Sequence, residues 1–328
     1  MGKEKSLNYY KGDIMDYSTF KEIAAEKILD YMPEKFKNCT VETEPVQKTN
    51  RKMDALRIVP CWITEGMAVP VVYLEHMYKH YNGTGSISTV LENAAQVLAL
   101  GFEEAEKIGG ISFTEPEKRV TMSLVNTGQN REMLQHVPNR QFHDLSVVYR
   151  YIVDAGSDIS SVLVDNKTAD MMGMDEGQLF KTAQENTLEF MGLVIKPLDE
   201  VIKEILLSEG MAADEAESIV QLPEGKPQMY VITNRAGVNG AVYIMYDEVL
   251  QGLAQETGSD LYLLPSSAHE VMAVPAYGNP ASLAQMVEEI NVKEVELEER
   301  LSNNVYHYDK MLHKLSVAAG KICLAVQH

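Results

Sequence analysis

The segment with the most chemical capacity is Leu263-Leu264-Pro265-Ser266-Ser267-Ala268-His269-Glu270-Val271, a polar joint between two apolar runs. An imidazole with an ordinary pKa of about 6.5 can exchange protons at neutral pH. His269 is therefore a candidate general base or binding residue. Glu270, Ser266 or Ser267 could be its partner in hydrolase-type chemistry, which makes Ser267, His269 and Glu270 the candidate catalytic set. Adjacency along the chain does not by itself produce the geometry of a serine–histidine–acid triad. The competing reading is a structural corner. Pro265 removes a ladder donor, the serines bond their own backbone, and His269 donates to a carbonyl or a serine hydroxyl and locks the turn. If the second strand begins at Glu270, His269 and Glu270 project to opposite faces.

Two other groups compete with it. His76 and His80 are four apart, so on a helix they share one face and have the spacing of two zinc ligands, with Glu75 beside them. They also fit a solvated face opposite Leu74, Met77, Tyr78 and Tyr81. No third ligand is evident, so no metal is assigned. The polar run Asn126, Asn130, Arg131, Asn139, Arg140, His143 and Asp144 lies between strands, where binding residues often sit. Asn126, Asn130, Arg140 and Asp144 are the candidate binding residues there, against the alternative that such asparagines shape turns. Cys61, next to Trp62, has no neighbour that would lower its pKa and is expected in the core.

The elements that must position these residues follow from periodicity. Tyr17 to Met32 has apolar residues at three and four, which predicts a helix capped by Ser18 or Thr19 and ended by Pro33. Strands are expected at Cys39–Gln47, an edge because of Pro45, and at Asp54–Val59 beyond a turn at Asn50-Arg51-Lys52. Val69–Tyr73 leads into a helix that Asn82-Gly83-Thr84-Gly85 breaks. A long helix then runs from Ser86 or Ser88 to about Lys107, with Val90, Leu91, Ala94, Val97, Leu98 and Phe102 facing inward and Gly109-Gly110 ending it. Further strands are expected at Arg119–Asn126, Asp144–Val153 and Ile159–Val164, and helices at Asp175–Phe190 and Pro197–Leu207. Met229–Thr233 and Ala241–Met245 read as a hairpin through an Asn- and Gly-rich joint. Helices are predicted at Asp247–Glu256 and Pro280–Ile290, strands at Leu261–Leu264 and Glu270–Val274, and an extended then irregular tail. Helices and strands mix without a strict β-α repeat. This predicts an α+β fold of mixed, mainly antiparallel sheets with packed helices. The best boundary, Gly109 to Pro116, divides a smaller lobe (1–112) from a larger one (113–328), or marks a joint within one compact unit.

Composition narrows the function classes. Among 328 residues, 48 Asp and Glu face 29 Lys and Arg, a formal net charge of −19. Duplex binding needs a Lys/Arg surface to displace phosphate counterions, so direct duplex binding is not expected. Three scattered cysteines (Cys39, Cys61, Cys323) suit neither a disulfide framework nor a zinc knuckle and fit a reducing, cytoplasmic compartment. Met1 to Asp13 lacks an apolar core segment, and no run is long enough for a membrane helix, so neither a signal peptide nor membrane association is expected. P-loop, dinucleotide-turn, H-E-x-x-H and G-x-S-x-G patterns are absent, and no cofactor is expected.

Several pieces together resemble a known family. They are Val72-Tyr73-Leu74-Glu75, Val125-Asn126 with Asn130 and Leu134, Asp144-Leu145, and Leu179, Ala183, Asn186 and Thr187 after Met174-Asp175-Glu176. The closing motifs fit best: Leu264-Pro265-Ser266-Ser267-Ala268-His269-Glu270-Val271 and Leu301-Ser302-Asn303-Asn304-Val305-Tyr306-His307-Tyr308-Asp309. From about Phe20 to Asp309 the chain resembles the bacterial domain-of-unknown-function family 5688. That resemblance implies a compact α+β fold and a bacterial, often mobile-element setting, and carries no catalytic residue with it. The expectation is a soluble, non-enzymatic binding or regulatory protein with a protein or small-molecule partner. The alternatives are a hydrolase-type enzyme using His269 with Glu270 or a serine, and an acidic mimic of nucleic acid.

Overall fold

The computed structural model describes residues 15–62, 69–108, 113–155, 159–220 and 228–320. Met1 to Asp13, the Gly109-Gly110 helix end and Cys323 lie outside the described residues. The chain divides into two units, residues 1–48 with 52–112, and residues 49–51 with 113–328.

The first unit begins with α1 (Tyr17–Tyr31). Its cap is Asp16, not Ser18 or Thr19: the Asp16 carboxylate accepts from Thr19 N–H at 3.0 Å, because a carboxylate at N-cap also complements the helix dipole. The strands β1 (Thr40–Lys48), β2 (Arg51–Val59) and β3 (Val71–Tyr73) form one sheet in that order, which leaves β1 and its Pro45 at an edge. The turn is shorter than expected, at Thr49-Asn50, with Asn50 in the left-handed region at φ 65°. Helix α2 (Leu74–Thr84) runs through Asn82-Gly83 and stops only at left-handed Gly85. Helix α3 (Ile87–Ile108) buries Val90, Leu91, Ala94, Leu98 and Phe102, with Ala95 in place of the predicted Val97, which is 58% exposed. Phe20, Ala24 and Ile28 of α1 complete this core. Cys61 is exposed, not buried, since it falls in the turn after β2 and not on a strand or helix face.

The second unit opens with a short turn of helix, α4 (Pro116–Arg119), and β4 (Val120–Asn126). A further short turn, α5 (Arg131–Leu134), and β5 (Asn139–Phe142) follow, so the stretch expected as loop holds two elements. The long β6 (Leu145–Ala155) pairs with β4 along one side, and on the other with β5 and then β7 (Ile159–Leu163). Helices α6 (Asn166–Met172) and α7 (Glu176–Met191) come next. A reciprocal capping box starts α7, in which Asp175 accepts from Gln178 N–H and the Gln178 side chain accepts from Asp175 N–H.

The chain then builds β8 (Leu193–Pro197), α8 (Leu198–Ser208), α9 (Ala213–Val220) and β9 (Tyr230–Asn234). Next come α10 (Asp247–Thr257), β10 (Leu261–Leu264), β11 (Val271–Pro275), α11 (Pro280–Lys293), β12 (Val305–Asp309) and β13 (Lys314–Ala319). Six strands form one sheet in the order β13-β12-β10-β11-β9-β8, and its pairings are antiparallel. Pro197 ends β8 and flanks α8, so that helix starts one residue later than predicted. The α+β architecture with mainly antiparallel sheets is as the sequence predicts.

One predicted strand is absent. Residues Gly240–Met245 form a 3-10 helix, not the second arm of a hairpin. Val242 and Ile244 mimic the alternation of a strand, but the whole run from Gly240 to Ile244 is buried and fills the core beside Tyr246 and Leu250. Left-handed Asn239 (φ 57°) reverses the chain into it. The N–H groups of Gly240 and Ala241 then donate to the carbonyls of His269 and Ala268 at 2.9 and 3.1 Å. A Cβ on Gly240 would lie 2.6 Å from the His269 carbonyl oxygen and 2.7 Å from Thr233 Cα, both backbone atoms. Gly240→Ala should therefore lower stability by about 1–3 kcal/mol in urea unfolding, the usual cost of overpacking, and an unchanged midpoint would contradict this close approach.

Candidate functional site

The Pro265 to His269 joint is a corner whose polar groups are engaged. Ser302 and Leu301 donate their N–H groups to the carbonyls of Pro265 and Ser266, both at 2.9 Å, and Ala268 N–H donates to the Glu299 carbonyl at 2.8 Å. Ser267, only 7% exposed, uses its hydroxyl to accept from His269 N–H at 3.0 Å. It makes no hydrogen bond to the His269 ring among the described residues. The His269 carbonyl accepts from Gly240 N–H and from the Thr233 hydroxyl, both at 2.9 Å.

The ring itself faces Asn239. His269 Nδ1 accepts from Asn239 N–H at 3.2 Å, so its proton sits on Nε2, which lies 3.6 Å from a Glu299 carboxylate oxygen. The lone pair that a general base needs is directed at a backbone donor. Glu270 is exposed and precedes β11, which starts at Val271 and not, as expected, at Glu270.

The polar run after β4 is equally committed to structure. Asn130 is fully buried; its carboxamide donates to the Asn126 carbonyl at 2.8 Å and to Asn50 Oδ1 at 2.7 Å, while its Oδ1 accepts from Asn50 N–H at 2.7 Å. Asn126 donates to the Leu301 carbonyl at 2.8 Å and accepts from Gln129 N–H at 2.9 Å. Asp144 accepts from the Ser302 hydroxyl at 2.7 Å and from the Tyr306 hydroxyl. Burial and the Asp144 charge together push the Tyr306 hydroxyl's pKa up, so it stays protonated and keeps donating. The residues 296–302 thus bring the His269 corner together with Asn126 and Asp144. Arg140 lies apart, forked onto Glu176 through Nε and Nη2 at 3.0 and 2.9 Å and stacked over the Phe180 ring at 3.9 Å.

His76 lies at the start of α2 and His80 is exposed further along it, while the Glu75 carboxylate accepts from Asp54 N–H at 2.9 Å. Among the described residues no group of three His, Cys, Asp or Glu side chains could hold a metal ion. No described helix is long and apolar enough to cross a membrane.

The residue that sequence reasoning missed is Arg150. It sits mid-strand in β6, opposite Thr121 and flanked in sequence by Tyr149 and Tyr151. The signal was present, since one guanidinium falls within the apolar run Val147–Val153. Arg150 lines a small cavity of about 20 Å³ with Thr121, Ile152, Ser161, Asn234 and Asn239. The guanidinium's described hydrogen bonds are both to Ser161, Nε to the hydroxyl at 2.8 Å and Nη2 to the carbonyl at 3.3 Å. No acidic residue is among the described residues that line the cavity. Burial pulls the guanidinium's pKa down.

The Glu176 pair makes stability depend on pH. Burial pushes the Glu176 carboxyl up, but the hydrogen bonds from Arg140 and Tyr149 outweigh it, and the net shift is below the ordinary 4.5. A lowered folded-state pKa stabilises the fold above that ordinary value, and the gain is lost as pH falls through the lowered one. The urea midpoint of Glu176→Gln should therefore fall less than that of the native chain as pH drops below about 4.5.

Asn130→Ala removes the acceptor that meets the Asn50 N–H. A loss of about 1–3 kcal/mol, the cost of an unmet buried group, is expected in the same assay.

The model of a family of unknown function (DUF5688) matches residues 17–310. No curated protein and no solved structure matches the chain. With that match running from α1 through β12, the protein belongs to DUF5688, a family of unknown function.

Proposed function

We propose that this protein is a non-enzymatic binding or regulatory protein whose polar motifs build a recognition scaffold. The observation that carries the reading is the engagement of His269: its Nδ1 lone pair accepts a backbone N–H and its carbonyl accepts two donors. A serine hydrolase needs an imidazole lone pair aimed at a serine hydroxyl. Here the Ser267 hydroxyl accepts from the His269 backbone. The net charge of −19 supports little affinity for duplex DNA, and a cytoplasmic, bacterial, mobile-element setting belongs to the same proposal.

The hydrolase alternative makes the opposite claim about the same residue. Replacing His269 by Ala removes the acceptor for Asn239 N–H and should lower the melting temperature, with no turnover of ester, amide or phosphoester substrates before or after the change. Turnover by the native protein that vanishes in His269→Ala while the melting temperature holds would overturn the proposal.

A further inference from the structure

We infer that the cavity at Arg150 is a binding site for the carboxylate of a small organic acid. This deepens the binding reading above by naming the ligand's chemistry. A half-buried guanidinium with no carboxylate partner among the described residues favours an anion that completes it. The two bonds to Ser161 engage Nε and one N–H of Nη2, which leaves the Nη1 end of the planar fork open among the described residues. The Asn239 carboxamide, on the same cavity wall, makes no hydrogen bond among the described residues. Arg150 and Asn239, from different elements, therefore line one space whose described lining holds no acid.

The positions of both are built in. Arg150 is fixed on β6 by antiparallel pairing with Thr121 and Leu163. Asn239 is held in the left-handed region, at φ 57°, by its N–H bond to His269 Nδ1. Asparagine tolerates that conformation better than most residues. His269 is thus a positioning residue for Asn239, and the Gly240 bond to the His269 carbonyl at 2.9 Å fixes the next residue of the same turn. The remaining wall is settled: Asn234 uses its carboxamide on Val238 O at 2.6 Å and on Ala236 N–H at 3.0 Å, and the Thr187 hydroxyl accepts from Met122 N–H at 3.0 Å.

Size and shape choose the ligand. A cavity of about 20 Å³ holds one or two water-sized groups, so the buried part of a ligand is a headgroup and not a nucleotide. A planar carboxylate presents two oxygens to the guanidinium fork, which tetrahedral phosphate matches less well in so small a space. The chain's net charge of −19 opposes any anion at long range. Beyond a Debye length of about 8 Å that repulsion is screened at physiological salt, while the contact with the guanidinium is short-range.

The test is a titration of the full chain with formate, acetate or inorganic phosphate at constant ionic strength. It follows the Nε–H resonance of Arg150 by nitrogen-15 NMR, identified by its loss in Arg150→Gln. The expected result is a saturable shift with formate and acetate, and a weaker response to phosphate. Asn239→Asp places a carboxylate beside the guanidinium and should weaken formate binding at least about tenfold while the fold persists. A shift that never saturates, a preference for phosphate, or an unchanged affinity in Asn239→Asp would overturn the site. The native resonance decides the matter even if Asn239→Asp fails to fold. Saturable binding with consumption of the acid would instead overturn the non-enzymatic reading and leave the carboxylate site standing.

Discussion

The second unit depends on a small set of backbone hydrogen bonds around one corner. The carbonyls of Pro265, Ser266, Ala268 and His269 are met by donors from two directions. Leu301 and Ser302 approach from one side, and Gly240 and Ala241 from the other. A buried carbonyl left unmet costs about 1–3 kcal/mol, more than the net gain from making its bond, so the corner and both of its partners must form together. Everything polar that the sequence offers as chemistry near this corner hangs on the arrangement. Asn126 reaches the Leu301 carbonyl, Asp144 reaches Ser302 and Tyr306, and His269 reaches Asn239.

This constraint explains why the catalytic candidates carry no catalytic geometry. A corner that turns an antiparallel sheet back on itself buries carbonyls that need donors, and serine, histidine and asparagine are the residues that supply or receive them locally. The same corner has a remote consequence. By fixing Asn239, it shapes the lining of the cavity that Arg150 shares. Structural satisfaction at one end of the turn thus sits beside a cavity at the other.

The legible parts of the sequence were those with strong local physics. The capping box at Asp175 and Gln178, the apolar face of α3 apart from Val97, and the alternation in β10 are readable because a short window decides them. Edge strands β8 and β13 were not legible, since their side chains are mostly half-exposed and the alternation is faint. Gly240–Met245 misled for the opposite reason. Burial on all sides erases the difference between strand and helix patterns, and the tight approach to Thr233 and His269 that selects the 3-10 form is long-range. The joint at Pro265 was visible as a corner, while its partners at 299–302 and 240–241 were not. Arg150 was visible as a charge beside Tyr149 and Tyr151, but the lack of an acid among the described residues that line its cavity is a property of several elements at once.

If His269 positions its surroundings and does not act as a base, its ring tautomer shows this most directly. Long-range proton–nitrogen NMR on the histidine rings should show the His269 proton on Nε2, with Nδ1 unprotonated and accepting a hydrogen bond. A ring protonated on Nδ1 would contradict the account, because the bond to Asn239 could not then exist.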